Sequence, residues 1–410
     1  MHRAFAAFVA VVLAVPAAGA SQPAVVTEAK FLAAVGEGHP ALAALRMNLG
    51  SARAEALAAA ALADPEVGAV REDPDGDAEQ IDLTVSWQPP QPGRRLAVAA
   101  AGHGIAAAEA RLEAERLALH LVLHEAYAAW AIASERTDHL ARNADRLAEL
   151  ARREGERAER GEVSGLEARR LALAADEAAS RLALAEAEAA AALATVRGWV
   201  PELADGALSE LPALVPPRAA LPAQHPRLIA LEQDLEAARL SSRAADRIVR
   251  WPELIAGWQR QELDAGSVEG PILGISWPLP LLDRNRAERS LAASREETAG
   301  ARLEAARRRF EADRAGALAA YGRLEAAARE AHRAASGNPG MVAAAVAAFE
   351  QGEAGVTDLL ETLRSAVDSE ATALDLHTAA LAAFRRLEEL AGCPLDQDHD
   401  PTLDPNGETP

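Results

Sequence analysis

Strict alternation of apolar and polar residues is confined to a few short segments, and elsewhere the apolar positions recur at helical spacing. Ile81, Leu83, Val85 and Trp87 alternate with Asp82, Thr84, Ser86 and Gln88, the two-residue period of a strand with one apolar and one polar face. Leu254, Ala256 and Trp258 share one parity, and Leu273, Ile275 and Trp277 share another, with Gly274 and Ser276 opposite. These patterns predict strands at about 66–71, 79–88, 252–261 and 271–277. Short helices are predicted over Ala41–Ala63 and Arg227–Arg250, ended by Pro65 and Pro252, which cannot continue a helix. Two far longer arms follow, Arg94–Gly161 and Arg284–Gly352, of 68 and 69 residues. Each reaches roughly 100 Å if helical throughout. Gly337-Asn338-Pro339-Gly340 predicts a break in the second arm. In the first arm Leu112, Leu117, Leu119, Leu121, Leu123 and Trp130 are densely spaced while Arg and Glu crowd Arg146–Arg160, so the far end is the more solvated.

The order helix, strand, strand, long helix, turn, helix occurs twice. His39-Pro40-Ala41-Leu42 matches His225-Pro226-Arg227-Leu228, Asp64-Pro65-Glu66 matches Trp251-Pro252-Glu253, and Ser86-Trp87 matches Ser276-Trp277. The match continues with GEVSGLEARRLAL from Gly161 and GEAGVTDLLETLR from Gly352, and closes with Val196-Arg197-Gly198 and Leu390-Ala391-Gly392. The offsets rise slowly from 186 to 194 residues, so a few short insertions separate two copies of one unit. The copies span 21–210 and 225–395, joined by a Pro-rich linker at 211–224. Residues 396–410 carry five acidic and no basic side chains and read as a disordered tail. At the other end, His2 and Arg3, an apolar run, and Ala18-Gly19-Ala20 give 1–20 the three parts of a secretory signal peptide, an uncleaved anchor being the alternative.

Composition narrows the class. Aromatic content of 3% is low for compact cores, whereas abundant Ala suits helices packed closely side by side. Helices of this length bury their apolar face on one another as coiled coils. The net charge of −20, from 42 basic and 62 acidic residues, argues against a nucleic-acid partner. Cys393 is the one cysteine, so no intrachain disulfide forms, and its LAGC string lies far from the signal. No apolar run of about 18 residues is evident after the signal, so any membrane the mature chain crosses is crossed by strands.

The strands run about eight to ten residues, near the length a tilted strand needs to cross a bilayer. Four of the six tryptophans, Trp87, Trp251, Trp258 and Trp277, sit in or beside them, as an interfacial aromatic belt requires. The connections EDPDGDA (72–78) and ELDAGSVEG (262–270) are short and acidic, like exposed hairpin tips. The competing reading is a soluble sandwich edge packed on a core. Four strands are too few to close a barrel, so a membrane reading requires several copies of the chain. Each second strand runs into a Trp-Pro junction, Trp87-Gln88-Pro89-Pro90 and Trp277-Pro278-Leu279-Pro280, before the Arg-rich start of a long arm.

These residues resemble the TolC-like outer membrane efflux proteins of Gram-negative envelopes. The resemblance is carried by the duplicated His-Pro-x-Leu at His39 and His225, where the family often has Asn-Pro, by the GISWPLPLLDRNR junction, and by the turns at Gly161 and Gly352. It covers the mature chain to Leu395, and the Pro-Leu-Pro-x-x-Asp-Arg-Asn string looks most like the heavy-metal cation efflux (CzcC-like) branch. The resemblance implies a mostly α fold with a small β part: a homotrimer in which three sets of four strands close a twelve-stranded transmembrane β-barrel, continued into the periplasm by a coiled-coil α-barrel. It implies residence in outer membrane lipid and docking onto a periplasmic adaptor and an inner-membrane pump of the resistance-nodulation-division class. No catalytic cofactor is implied, and the chain is expected not to be an enzyme.

The membrane-facing residues expected on this reading are Ile81, Leu83, Val85, Trp87, Leu254, Trp258, Leu273, Ile275 and Trp277. Adaptor contact is expected at the tips, through Gly161, Val163, Ser164, Leu166, Gly352, Val356, Thr357 and Leu359. Ser164-Gly165-Leu166-Glu167 fits a capping box, with Val356-Thr357 as its counterpart. His120 and His124 lie four apart on a predicted helix, the spacing of two metal ligands on one face, but no third ligand is recognisable and a packed or tunnel-facing pair is the expected reading. No Gly-rich phosphate loop or nucleophile triad stands out. A periplasmic coiled-coil adaptor or scaffold without a barrel is the alternative, although adaptors do not repeat helix-strand-strand-helix twice.

Overall fold

The computed structural model describes residues 25–35, 40–72, 79–203, 208–216, 225–247, 249–263, 266–279 and 284–395. The expected signal, His39, most of the first hairpin tip, residues 264 and 265 of the second, residues 217–224 of the linker, Pro280, Asp283 and the acidic tail lie outside the described residues. In chain order the elements are β1 (Val25–Val26), α1 (Glu28–Val35), α2 (Pro40–Ala60), β2 (Glu66–Glu72), β3 (Gln80–Trp87), α3 (Arg94–Glu159), α4 (Gly165–Trp199), β4 (Leu208–Ser209), α5 (Pro226–Ala245), β5 (Glu253–Leu263), β6 (Gly266–Ser276), α6 (Arg286–Ala335), α7 (Asn338–Glu350) and α8 (Val356–Ala391). The fold is mostly helical with a small sheet. β2, β3, β5 and β6 form one antiparallel sheet in that order. β1 and β4, which alternation does not predict, form a two-residue parallel pair.

Several boundaries differ from the expectation, α2 ending at Ala60 and α5 at Ala245 among them, while the expected break in the second arm is present. β6 starts at Gly266 rather than near 271, because Gly266, Gly270 and Pro271 look like turn residues. Pro271 pairs with Trp258 on a strand with one unpaired edge, where a missing N–H removes no ladder bond. α6 starts at Arg286 rather than Arg284, after Asn285 adopts the left-handed conformation at φ 55°. The break in the second arm follows Ala335: Gly337 N donates to Ala334 O at 3.3 Å, and Pro339 falls in the first turn of α7, where its missing N–H has no helical partner to lose. Buried Asn338 donates from Nδ2 to Ala366 O of α8 at 3.1 Å. α3, in contrast, is unbroken over 66 residues. It also contains an 18-residue stretch of mean hydropathy 1.2, of which 44% is buried within the protein, so α3 holds an apolar run that the sequence pattern does not lead one to expect.

The chain forms two compact units, one from the described residues of 1–35 and 126–212, the other from those of 36–125 and 213–410. In the first, Tyr127 of α3 is fully buried, stacked on Phe31 with centroids 5.9 Å apart and edge-on to Trp130 at 5.8 Å. Its hydroxyl donates to Val26 O at 2.7 Å and meets both backbone atoms of Glu210, the O at 2.9 Å and the N at 3.0 Å. In the second unit, Tyr321 of α6 is equally buried with Phe384, Leu387, Ala391 and Leu395, and its hydroxyl donates to Val215 O. Burial raises the Tyr321 phenol to about 12, so it remains a donor. The buried residues of α8, among them Val356, Leu359, Leu363, Ala366, Ala373, Ala380, Phe384, Leu387 and Ala391, recur at the alternating three- and four-residue spacing of a heptad seam.

Candidate functional site

The sheet inverts the usual placement of apolar side chains. Along β3, Ile81, Leu83, Val85 and Trp87 are exposed, while Gln80, Asp82, Thr84 and Ser86 are half-buried. The register carries this across all four strands, with Val67, Val85, Ala256 and Leu273 in one row and Ala69, Leu83, Trp258 and Pro271 in the next. Trp87, Leu254 and Ile275 form a third. Leu273 is 84% and Ile275 70% exposed. A sandwich edge would turn this face onto a core. Here it faces outward, and only a non-aqueous environment or a partner makes such a surface favourable.

Charge is sorted by face as well. Arg71 and Arg260 share the outer face with Glu262 and Glu269 at the hairpin-tip end, where Arg260 pairs with Glu262 at 2.9 Å and with Glu269 at 3.5 Å. The opposite face carries Glu66, Glu72, Asp82 and Glu253, and among its described residues no Lys or Arg. Gln80 Nε2 donates to Asp82 Oδ2 at 3.0 Å.

Beyond the sheet, each junction is bonded to the end of its own copy's short helix region, and one bond, from Trp251 to Gln91, joins the two copies. Trp277 Nε1 donates to Arg250 O at 2.9 Å, Trp251 N to Gln91 Oε1 at 2.9 Å, and Arg94 to Ala60 O. The prolines end the ladder and these bonds fix the chain direction into α3 and α6.

The tip turns are the same object built twice. Gly161 N donates to Ala158 O at 3.0 Å and Glu162 N to Arg157 O at 2.9 Å; Gly352 N donates to Phe349 O at 3.0 Å and Glu353 N to Ala348 O at 2.8 Å. Each is a Schellman closure, and each glycine sits at the left-handed φ it requires, 75° and 76°. Restarting the helix differs between copies. Ser164 Oγ accepts from Leu166 N at 3.2 Å. Its counterpart is Gly355 rather than Val356-Thr357: with no side chain, Gly355 forms only the reverse half of a capping box, its N–H donating to Asp358 Oδ2 at 3.2 Å. Gly161, Ser164, Leu166, Gly352 and Thr357 are exposed and Val163 is half-buried. Val356 and Leu359, expected at the tip with the others, are buried in the heptad seam of α8.

His225 caps α5. Its Nδ1 accepts from Arg227 N at 3.0 Å and its Nε2 lies 2.8 Å from Glu389 O, with Phe310 edge-on at 5.0 Å between centroids. Those bonds require the neutral ring with its proton on Nε2, and burial pulls its pKa below the ordinary value. An imidazole therefore supplies the acceptor that Asn would supply before Pro. Gly392 ends α8 at φ 74°, where a Cβ would meet Pro226 Cδ at 2.5 Å, so the end of the second copy closes on its own start. His120 and His124 converge, with Nε2 atoms 2.8 Å apart.

The cap of His225, the tyrosine anchors and the face-sorted carboxylates escape a sequence reading. The tyrosines do leave a trace, since the chain's two tyrosines lie 194 residues apart, the offset between Gly198 and Gly392.

The arrangement matches solved structures over both copies. CmeC of Campylobacter jejuni, an outer membrane channel, superposes with a TM-score of 0.73 at 14% identity, covering 89% of this chain and 85% of that one. The fold is that of the outer membrane efflux channels. VceC, an outer membrane protein of Vibrio cholerae, gives 0.73 at 17% identity, covering 89% of this chain and 96% of that one. The open state of the MtrE outer membrane channel of Neisseria gonorrhoeae gives 0.68 at 18%, covering 89% of each. Residues 219–393, essentially the second copy, match the outer membrane efflux protein (OEP) family model. A comparison with curated protein sequences gives no match.

Proposed function

We propose that the chain is a TolC-like outer membrane efflux channel, a passive duct that three copies build together. The observation that carries this reading is the inverted sheet, apolar outward and acidic inward, with β2 and β6 as unpaired edges. Open edges are not tolerated in lipid, and pairing β2 of one copy with β6 of the next closes twelve strands. Residues 1–20 act as the export signal and the helical arms stand in the periplasm. The tips dock through Gly161, Val163, Ser164, Leu166, Gly352 and Thr357 onto an adaptor, which links the duct to an inner-membrane pump of the resistance-nodulation-division class. The inner-face carboxylates Glu66, Glu72, Asp82 and Glu253 favour cations, which supports heavy-metal cations as cargo. A duct of this kind carries no catalytic group; the pump supplies the energy. The scaffold alternative leaves the exposed rows of Leu, Ile, Val and Trp without an explanation.

Fractionation and conductance test the reading together. The purified chain should come from the outer membrane as a heat-modifiable trimer and open discrete conductance steps in planar bilayers. Recovery as a soluble periplasmic monomer would overturn it.

A further inference from the structure

His120 and His124 lie on one face of α3, with Nε2 atoms 2.8 Å apart and ring centroids 4.2 Å apart. His124 is fully buried and His120 half-buried. Two imidazole nitrogens on a tetrahedral cation at about 2.0–2.1 Å stand roughly 3.3 Å apart. The pair is thus within a small ring rotation of a bidentate clamp, with the i, i+4 spacing that puts two histidines over one cation.

Packing does not require this pair. At the offset of 194 residues that relates Tyr127 to Tyr321, the second copy has Arg314 in place of His120 and Leu318 in place of His124. Leu318 packs against the Tyr321 cluster, so the same position on the second arm is served by an ordinary apolar side chain. The first copy instead carries two converging nitrogen ligands whose buried member faces its partner.

We propose that His120 and His124 form a two-histidine binding site for a borderline divalent cation, Zn²⁺ or Cu²⁺. Neutral imidazole suits both metals, each ring presenting Nε2 and carrying its proton on Nδ1. Water completes the coordination from the half-exposed His120 side. The site does not depend on the channel reading, because uptake is measured on the purified chain without transport.

The test uses the full-length chain in detergent, titrated with Zn²⁺ against a weak chelating dye, and with Cu²⁺ followed by electron paramagnetic resonance. His124→Leu and His120→Arg import the residues of the second copy and should keep the helical circular dichroism spectrum. The wild type should take up one saturable equivalent of Zn²⁺ per chain and show Cu²⁺ coupled to two nitrogens. Each variant should lose both signals, while His332→Ala, at an exposed position of α6, should keep them. No saturable uptake by the wild type, or equal uptake by the wild type and His124→Leu, would overturn the proposal.

Discussion

Replacing Leu273 by Arg separates a membrane-facing sheet from a soluble one by its sign and size. Leu273 is 84% exposed in the single chain. In water, therefore, the substitution removes almost no packing and should change stability by no more than about 0.5 kcal/mol. In a bilayer the same position is near the middle of the apolar face: it lies four residues from Glu269 at the polar tip and four from Trp277 at the junction, roughly 13 Å each way along the strand. A guanidinium there costs about 2–4 kcal/mol per chain, and three copies give about 6–12 kcal/mol per trimer by the same figure. Urea titration of the trimer reconstituted in lipid vesicles, followed by tryptophan fluorescence and by resistance to dissociation on gels, measures the difference. Gln259→Arg, on the opposite face, is the internal control and should leave assembly intact. A Leu273→Arg trimer as stable as the wild type, within about 0.5 kcal/mol, would refute the assignment of this face to lipid.

Three further outcomes follow from the described geometry. Asp82→Asn with Glu253→Gln removes two of the four inner-face carboxylates and should lower cation over anion permeability in reversal-potential measurements; an unchanged ratio would show that this face is not the pore wall. Leu166→Asp, at an exposed tip position, should abolish export while shifting unfolding by no more than about 0.5 kcal/mol, whereas Val356→Asp buries an uncompensated charge and should cost about 3–5 kcal/mol in thermal unfolding. His225 has its folded-state pKa lowered from 6.5 by burial, so its contribution is fully present above about 6.5 and lost as the pH falls toward that lowered value; His225→Asn keeps an N-cap acceptor and should flatten the slope of stability against pH in that window, while His225→Ala should lose about 1 kcal/mol at neutral pH.

Much of the fold is legible in the sequence because the duplication states each signal twice. Alternation at Ile81–Trp87 locates β3 and its two faces, and the Trp-Pro pairs mark where sheet gives way to helix. The break at Gly337–Pro339 is visible because Pro cannot sit in a helix interior. Legibility fails where a residue's usual preference is overruled by its neighbours. Pro271 hides the first half of β6 since its edge position is a tertiary fact. Val356 and Leu359 look like tip residues until the heptad of α8 places them inside. Gly355 carries no side chain to advertise a cap, and the bond of His225 to Glu389 joins residues 164 positions apart. The sorting of Arg71 and Arg260 to one face and Asp82 and Glu253 to the other needs the strand register, which alternation within single strands cannot supply.

The interruption between α6 and α7 has a mechanical consequence. α3 runs unbroken over 66 residues, whereas the second arm is jointed at Ser336–Gly337, beyond which α7 is a separate segment of 13 residues, about 20 Å long. Buried Asn338 pins the first turn of that segment to α8 through Ala366 O, and buried Val342 packs one turn further on. Duplication has thus put a hinge point into one arm and left the other continuous, so the two tips of one chain hang from different supports although they are built from nearly the same sequence plan.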